Sequence, residues 1–453
     1  MKNCIFITVF NNENYVNMLY LLLESIFIFG NINEHTDILI YTSDQFMNLI
    51  KKSHLFNDRI RFEINNNSDN IDKACKARLD LFHLKSAENY DKILYLDTDI
   101  LVKGDVNNIF DLAVEDILYT LQEGSIDDGF DYWGKTLFKD EINLYDDKSA
   151  FTSGIMLFKN CANIRNLFEN IISHMIESPG NFHDQPYIVY NAFKHRCFDN
   201  KILCSYAINN DNNIHSDKII HHFPGGPGVY SHKLTIMTKF LNELKEYIII
   251  SNITKTKEYI NINLLPIINE YGEKLEGNIF MLHHATEYTN IFADKAKNIS
   301  NVVLNIHIKQ VVEIGFNAGF SALLMLMSNP RLCLTCLDLG EHKYTQPCFE
   351  KLKDTYGDRI NLVIGDSKDT FKEIQNKFDL IHIDGGHSTD AAESDIINAY
   401  RVSKQGSIII MDDYDFPNLC ELWNKYIHIY DLQNLHIHLY DSPHHSIKYV
   451  SNE

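Results

Sequence analysis

Short apolar runs that end in an acidic residue occur in two separate series along this chain, and both series impose the same kind of fold. Runs of roughly four to eight apolar residues bounded by charge are strand-like, and when they alternate with amphipathic stretches they build a mostly parallel sheet covered by helices. In the first series Cys4-Ile5-Phe6-Ile7-Thr8-Val9, Ile38-Leu39-Ile40-Tyr41 and Lys92-Ile93-Leu94-Tyr95-Leu96 read as strands, the last running into Asp97-Thr98-Asp99. The second starts at Val311-Val312-Glu313-Ile314-Gly315 and continues through Leu332 to Leu337, Asn361 to Ile364, Phe378 to Ile383 and Ser407 to Met411, the rhythm of a doubly wound sheet. From about Leu234 to Ile268, Lys, Glu, Ile, Asn and Leu recur at helical spacing with almost no Gly or Pro, which predicts a helical connector. Leu435 to Tyr440 and Ser446 to Val450 flank Asp441-Ser442-Pro443 and are expected to pair as a hairpin. The fold class is α/β in two domains: residues 1–240, a connector over 241–300, and residues 301–453.

Length and charge narrow the function. With 453 residues, 45% of them hydrophobic, the chain can build two cores. A formal charge of −20 and no local basic patch argue against nucleic acid as a partner. Small anionic substrates stay open, because a bound divalent cation inverts the field of a carboxylate-rich site. The nine cysteines are odd in number and scattered, as in a reducing compartment. Met1 to Phe10 runs straight into Asn11-Asn12-Glu13 with no small-residue cleavage site, and the apolar stretch Tyr15 to Phe29 is broken by Asn17 and Glu24. It falls short of the roughly 20 residues a membrane span needs. The expectation is a cytoplasmic protein without a signal peptide or membrane span. The surplus of Asn, Ile and Lys is that of an AT-rich genome such as a large DNA virus, for which the compartment is the host cytoplasm. The oligomeric state is left open.

Asp97-Thr98-Asp99 stands at the carboxyl end of a strand, where open α/β sheets hold their ligands. On an extended backbone, residues two apart share a face, so the two carboxylates can grip a hard cation that also binds a diphosphate. Such a cation offsets charge on a departing nucleoside diphosphate. An Asp-X-Asp alone is equally a solvated turn in an acidic chain. The wider run Ala77-Arg78-Leu79 followed by Tyr90-Asp91-Lys92-Ile93-Leu94-Tyr95-Leu96-Asp97-Thr98-Asp99-Ile100-Leu101-Val102 resembles the retaining glycosyltransferases of family 8, the glycogenin and galactosyltransferase type with a GT-A fold. Asn11 to Tyr15 resembles that family's nucleotide-binding loop, and Ser153-Gly154-Ile155-Met156-Leu157-Phe158 its Asn-Ser-Gly-Val strand, with Thr152 where Asn is usual. His183-Asp184-Gln185-Pro186 resembles its Asp-Gln motif, and Ile220-His221-His222-Phe223-Pro224-Gly225 its His-X-X-Gly segment.

That resemblance implies a hexosyltransferase using a UDP-sugar donor and a glycan or glycosylated acceptor. It implies Mn²⁺ held by Asp97, Asp99 and His222, with His221 the alternative ligand one residue away. Asn11 and Tyr15 would sit at the nucleotide, Arg78 at the donor phosphates, and Asp184 and Gln185 beside the sugar. Gly225-Gly226-Pro227-Gly228 with His232-Lys233 replaces the family's Lys-Pro-Trp pattern and leaves the acceptor end open; Lys233 is a further phosphate contact.

In the second series Glu313-Ile314-Gly315-Phe316-Asn317-Ala318-Gly319-Phe320-Ser321 follows a strand and opens an apolar helix, so its glycines allow a ligand close to the backbone at a helix N-terminus. A dinucleotide loop would carry a third glycine that is missing here. Glu-X-Gly-X-X-X-Gly resembles motif I of the class I S-adenosylmethionine-dependent methyltransferases, which have a Rossmann-like fold. Acids recur at later strand ends: Leu337-Asp338, Gly365-Asp366-Ser367, Asp384-Gly385-Gly386-His387 and Met411-Asp412-Asp413. The resemblance implies that Glu313, Gly315, Asn317, Gly319 and Ser321 contact the cofactor, that Asp338 takes the ribose hydroxyls, and that Asp366 and Ser367 face the adenine. A hydroxyl nucleophile needs a base, a metal or both. Asp384, Asp412, Asp413 and His387 resemble the set of the Mg²⁺-dependent O-methyltransferases that act on sugars, with the three acids as ligands and His387 as general base. Otherwise these residues simply border the cofactor pocket.

Cys333-X-X-Cys336 lies on a strand, where positions three apart face opposite ways, which suits neither zinc nor a redox pair. His283-His284 and His444-His445 lack companion ligands at metal spacing, and His284, with Glu287 and Tyr288 after it, reads as surface, the alternative being a place at the entrance of the second site. The two halves together point to a bifunctional enzyme of glycan assembly. The alternative is one active half with the other kept as a binding module.

Overall fold

The computed structural model describes residues 2–451 except 69, 129–130, 181–182, 226–228 and 306. Gly226-Pro227-Gly228, part of the expected departure after His222, therefore lies outside the described residues. The chain forms two compact units, Met1–Ile50 with Asp58–Leu241, and Lys51–Asn57 with Asn242–Glu453.

The first unit holds strands β1 (Asn3–Val9), β2 (Thr36–Thr42), β3 (Ile60–Ile64), β4 (Lys92–Leu96), β5 (Ile100–Val102), β6 (Leu118–Ser125), β7 (Ser149–Lys159), β8 (Phe198–Asp199), β9 (Ala207–Asn209) and β10 (Ile220–His222). Seven of them form a mixed sheet in the order β3-β2-β1-β4-β7-β6-β8. β1 pairs in parallel with both β2 and β4, while β7 runs antiparallel to β4 and β6. Because β2 is covered on both faces, it reads as a continuous apolar run. The chain order reverses between β1 and β4, which opens a crevice at their carboxyl ends. A smaller sheet, β5-β10-β9, places His222 in register with Ile100 and Asn209.

The second unit holds β11 (Gln310–Ile314), β12 (Cys333–Asp338), β13 (Ile360–Ile364), β14 (Phe378–Ile383), β15 (Ser403–Asp412), β16 (Leu432–Gln433) and β17 (His445–Val450), in the order β13-β12-β11-β14-β15-β17-β16. β11 to β15 are parallel and β17 enters antiparallel to β15. Neighbouring residues divide between two cores: Val311, Leu380 and Ile408 enter one, Val312, Ile381 and Ile409 the other. That alternation is what a sheet with helices on both faces requires. Here too the order reverses, between β11 and β14.

The helical text before β11 forms Tyr230–Tyr259, a π turn at Ile260–Leu264 and Leu265–Tyr271. Pro266, in the first turn of the last helix, marks the break, since proline has no N–H to continue the ladder. Ile260, Leu264, Ile268, Ile299 and Val303 belong to the same core as Val311, so the π turn and the helix after it are part of the second unit's interior.

The expected hairpin does not form. Leu435, Ile437 and Leu439 pack on the core, as their alternation predicts, but beside β15 the strand that pairs with β17 is Leu432–Gln433. Backbone groups of the 435–440 stretch meet side chains of the helix Ala293–Val303 instead: Asn298 Nδ2 donates to the Tyr440 carbonyl, Asn301 Nδ2 to that of His438, and Tyr440 N–H donates back to Asn298 Oδ1. All nine cysteines are free. Among the described residues no helix is long and apolar enough to cross a membrane.

Candidate active sites

In the first unit Asp97, Thr98 and Asp99 do not continue β4 as an extended segment. They form a turn between β4 and β5. The turn is pinned on both sides: Asp97 N–H donates to the Gly154 carbonyl of β7 at 2.9 Å, and Phe223 N–H, after β10, donates to the Asp99 carbonyl at 2.9 Å. It brings donor atoms of Asp97, Asp99 and His222 within 4.8 Å of one another. Gly154 is necessary beneath them. A Cβ there would stand 2.8 Å from His222 Cε1 and 3.0 Å from Asp97 Oδ2.

His222 Nδ1 faces Asn209 Oδ1 at 2.8 Å, which fixes the ring and leaves Nε2, 3.4 Å from Asp99 Oδ1, toward the carboxylates. His221 points the other way, its Nδ1 against the Asp211 carbonyl, as strand alternation demands. Of the two histidines the structure brings His222 to the acids. Asp99 Oδ1 is buried without a hydrogen-bond partner, the state expected of a metal-directed oxygen. The donor set of two carboxylates and one imidazole fits Mn²⁺.

Charge in this site is closely matched. Arg78 Nε lies 2.9 Å from Asp184 Oδ2, and its Nη1 lies 3.3 Å from Asp97 Oδ2 and 2.8 Å from the Ser153 carbonyl. Burial works against the guanidinium charge, but Asp184 and Asp97 outweigh it and hold Arg78 well above its ordinary value. Burial raises the Asp184 carboxyl despite Arg78. Burial would raise Asp99 as well, yet His222 and Lys233 hold it below the usual carboxylate range. Lys233, expected at a phosphate, lies 2.5 Å from Asp99 Oδ2. Gln185 Oε1 accepts from the N–H and the hydroxyl of Ser153.

These groups line a cavity of about 610 Å³, together with Tyr15, Thr152, Asp184 and the aromatic pair Tyr132 and Trp133, a volume in the range of small-molecule sites. Asn11, expected at the nucleotide, is not among the lining residues; it sits at φ 71, just before the Asn12 cap of the helix Glu13–Phe29. Glu123 and Asn209 were not anticipated. Glu123 lines the cavity, and burial raises its carboxyl against the pull of His222 and of the neighbouring Thr152 and Asn209.

In the second unit the loop after β11 lies at the switch point. Gly315 has φ 93, and a Cβ on it would stand 1.8 Å from the Asp384 carbonyl, so only glycine fits between the ends of β11 and β14. Asn317, at φ 50, donates its N–H to Asp338 Oδ2 at 2.7 Å, and Gly340 N–H donates to Oδ1 at 2.8 Å. Gly319 caps the helix Phe320–Ser328, whose first turn carries the buried Ser321. Asp366 caps the helix Ser367–Glu373 by accepting from Lys368 N–H, so that carboxylate has a structural task beside any contact with adenine.

Two expectations are corrected here. Glu313 does not face the crevice. It is fully buried in register with Cys336 and His382, and its oxygens meet His382 Nδ1 at 3.0 Å and Cys336 Sγ at 3.6 Å. Nor does Asp413 join Asp384 and Asp412. The chain turns left-handed at Asp413, φ 53, and its Oδ2 lies 2.8 Å from His387 Nε2. The cluster that forms is His382, Asp384 and Asp412, with donors within 4.8 Å. The unanticipated Lys295, buried on the helix Ala293–Val303, makes an ion pair with Asp412 Oδ2. Burial opposes each of these charges; Asp412 and Asp384 outweigh it at Lys295, which is held above its ordinary range, and Lys295 and His382 outweigh it at Asp412, which is held low. Burial, reinforced by Asp412, pushes Asp384 up. The bond to Asp413 raises His387. The donors fit a cation, but the one facing Asp412 is already the Lys295 ammonium.

Comparison with known proteins assigns a family model to a stretch of each unit. Residues 11–222 match the family model of glycosyl transferase family 8, and residues 312–414 match that of a methyltransferase domain. The chain is thus an enzyme carrying a glycosyltransferase domain and a methyltransferase domain, both α/β, of families whose substrates include nucleotide-sugars and S-adenosylmethionine. Similar solved structures include the galactosyltransferase LgtC in complex with donor and acceptor sugar analogs, at 17% identity over 53% of this chain and 96% of that one, TM-score 0.40. Mouse xyloside xylosyltransferase 1 is similar at 12% over 50% and 99%, TM-score 0.37. A candidate caffeoyl-CoA O-methyltransferase from Staphylococcus aureus is similar at 13% over 47% and 98%, TM-score 0.33. No curated protein matches the chain.

Proposed function

We propose that the chain builds and modifies a glycan: the first unit transfers a hexose with retention from a UDP-sugar, and the second methylates a sugar hydroxyl from S-adenosylmethionine. One observation carries the reading, the convergence of Asp97, Asp99 and His222 on a cavity also lined by Arg78, Gln185 and Lys233. Asp97, Asp99 and His222 would hold Mn²⁺, which when bound offsets the charge of the leaving diphosphate. Arg78 and Lys233 are the cations beside that position, and each can exchange a carboxylate partner for phosphate oxygen. Gln185, fixed by Ser153, and Asp184, fixed by Arg78, orient the sugar.

In the second unit the Gly315 to Gly319 loop and Asp338 are the cofactor contacts. His387, oriented by Asp413, takes the proton of the acceptor hydroxyl. Asp384 and Asp412 would hold Mg²⁺, when it is bound, once Lys295 has yielded.

Incubating the full chain with a panel of UDP-sugars and Mn²⁺, with and without S-adenosylmethionine, and weighing the products tests both halves. A mass gain of one hexose followed by one methyl is expected. Asp97→Asn with Asp99→Asn should abolish the first gain, and Asp384→Asn with Asp412→Asn the second. If either pair leaves every turnover unchanged, that half is a binding module and not a catalyst.

A further inference from the structure

Outside both crevices, the second unit gathers a set of metal-ligating side chains that neither reaction uses. His283 and His284 are adjacent in the chain, and on an extended backbone their rings would point apart. They do not. His284 is left-handed at φ 62, its N–H is tied to the Leu275 carbonyl at 2.8 Å, and the two ring centroids lie 3.6 Å apart. The companion ligand that looked missing in the sequence comes from the loop after Gly272. Glu276 Oε2 lies 2.7 Å from His283 Nδ1, and one donor atom from each of Glu276, His283 and His284 falls within 4.8 Å of the others.

An outer layer holds the carboxylate. His342 places Nε2 at 3.7 Å from Glu276 Oε1 and Nδ1 at 3.7 Å from Glu273 Oε2. Such outer contacts orient ligands in metal sites. Two imidazoles and one carboxylate are the ligands of borderline d-block ions, whereas Mg²⁺ and Ca²⁺ select oxygen. All three ligands reach solvent, so an ion has an entry path.

We propose that Glu276, His283 and His284 form a binding site for a divalent d-block cation, Zn²⁺ by its ligand set, with water in the fourth position. The site adjoins the methyl-donor loop: Glu276 N–H donates to the Tyr344 hydroxyl at 3.4 Å, and that hydroxyl donates to Asn317 Oδ1 at 2.8 Å.

The test uses the full chain, stripped with chelator and carrying Asp97→Asn, Asp99→Asn and Asp384→Asn so that the other two clusters are silent. Titration with zinc chloride should show one equivalent bound per chain, and Co²⁺ in its place should give the visible bands of a tetrahedral nitrogen–oxygen site. His283→Ala with His284→Ala should remove that equivalent, and Glu276→Gln should weaken it by at least about 10-fold, with the far-ultraviolet circular dichroism unchanged. The proposal is overturned if no equivalent binds, or if the double histidine variant binds Zn²⁺ as tightly as its parent. Binding is read directly, so loss of the glycosyltransferase or methyltransferase reading leaves this outcome intact.

Discussion

Lys233 Nζ lies 2.5 Å from Asp99 Oδ2 and 2.9 Å from the Gly225 carbonyl, so an internal ammonium faces the carboxylate that would hold the metal. The two cations would share one carboxylate, Lys233 at Oδ2 and the metal at Oδ1, and repel each other across it. Removing the ammonium should tighten Mn²⁺ binding by roughly 10-fold, about 1.4 kcal/mol, in the absence of nucleotide. Lys233→Met is therefore expected to lower the Mn²⁺ dissociation constant, measured by electron paramagnetic resonance titration, while slowing UDP-sugar turnover. Weaker Mn²⁺ binding in that variant would mean Lys233 supports the site without opposing the metal.

Gly154 tests the same cluster from below. A methyl group there would enter the van der Waals space of His222 and Asp97, and the β7 backbone cannot retreat, because its carbonyl holds the Asp97 N–H. Gly154→Ala should lose at least about 100-fold in metal-dependent transfer, the scale at which a displacement near 1 Å acts on a catalytic array. S-adenosylmethionine binding by the other unit should be untouched. Full transfer activity in the alanine variant would remove His222 from the metal set.

What could be read from the sequence followed from local rules. The strands and the order of the acids needed only runs and spacing, whereas the grouping of His222 with Asp97 and Asp99 rested on the family resemblance, with His221 left as the alternative. Most of what failed depended on pairing between distant residues. Glu313 sits on a strand as expected, but the register that sets it beside Cys336 and His382 turns it inward. The 435–440 stretch alternates correctly, yet the side chains of Asn298 and Asn301 took its backbone bonds from a partner strand. Asp413 left the cluster through a left-handed turn that no neighbouring glycine announced. Lys295 lies on an ordinary helix and becomes a buried cation only because Asp412 meets it.

That last pair can be separated. Both members are almost fully buried, so removing one leaves an uncompensated charge, at a cost of about 3–5 kcal/mol, while removing both is far milder. Lys295→Met should lower the unfolding temperature of the second unit sharply, and Lys295→Met with Asp412→Asn should recover most of the loss. Calorimetry, in which two transitions are expected, checks this. If the double variant is as unstable as the single, the pair is not what holds that helix.

Asp395 gives the pH dependence of the second unit. Its side chain is buried beside Gly385 and Ser367, and burial pushes its carboxyl up to about 6 from 3.8. The folded protein therefore holds this proton more tightly than the unfolded chain does. Its contribution to stability is fully present below pH 3.8, declines as the pH rises toward 6, and is lost above that value. The whole effect is at most roughly 3 kcal/mol. Asparagine copies the shape of the protonated acid and does not titrate. Asp395→Asn should match the parent in unfolding temperature at about pH 4 and exceed it by a margin that levels off above about pH 6. Thermal unfolding of both proteins followed by circular dichroism across that range measures the margin. A variant less stable than its parent at neutral pH would show instead that Asp395 is ionised and paired in the fold.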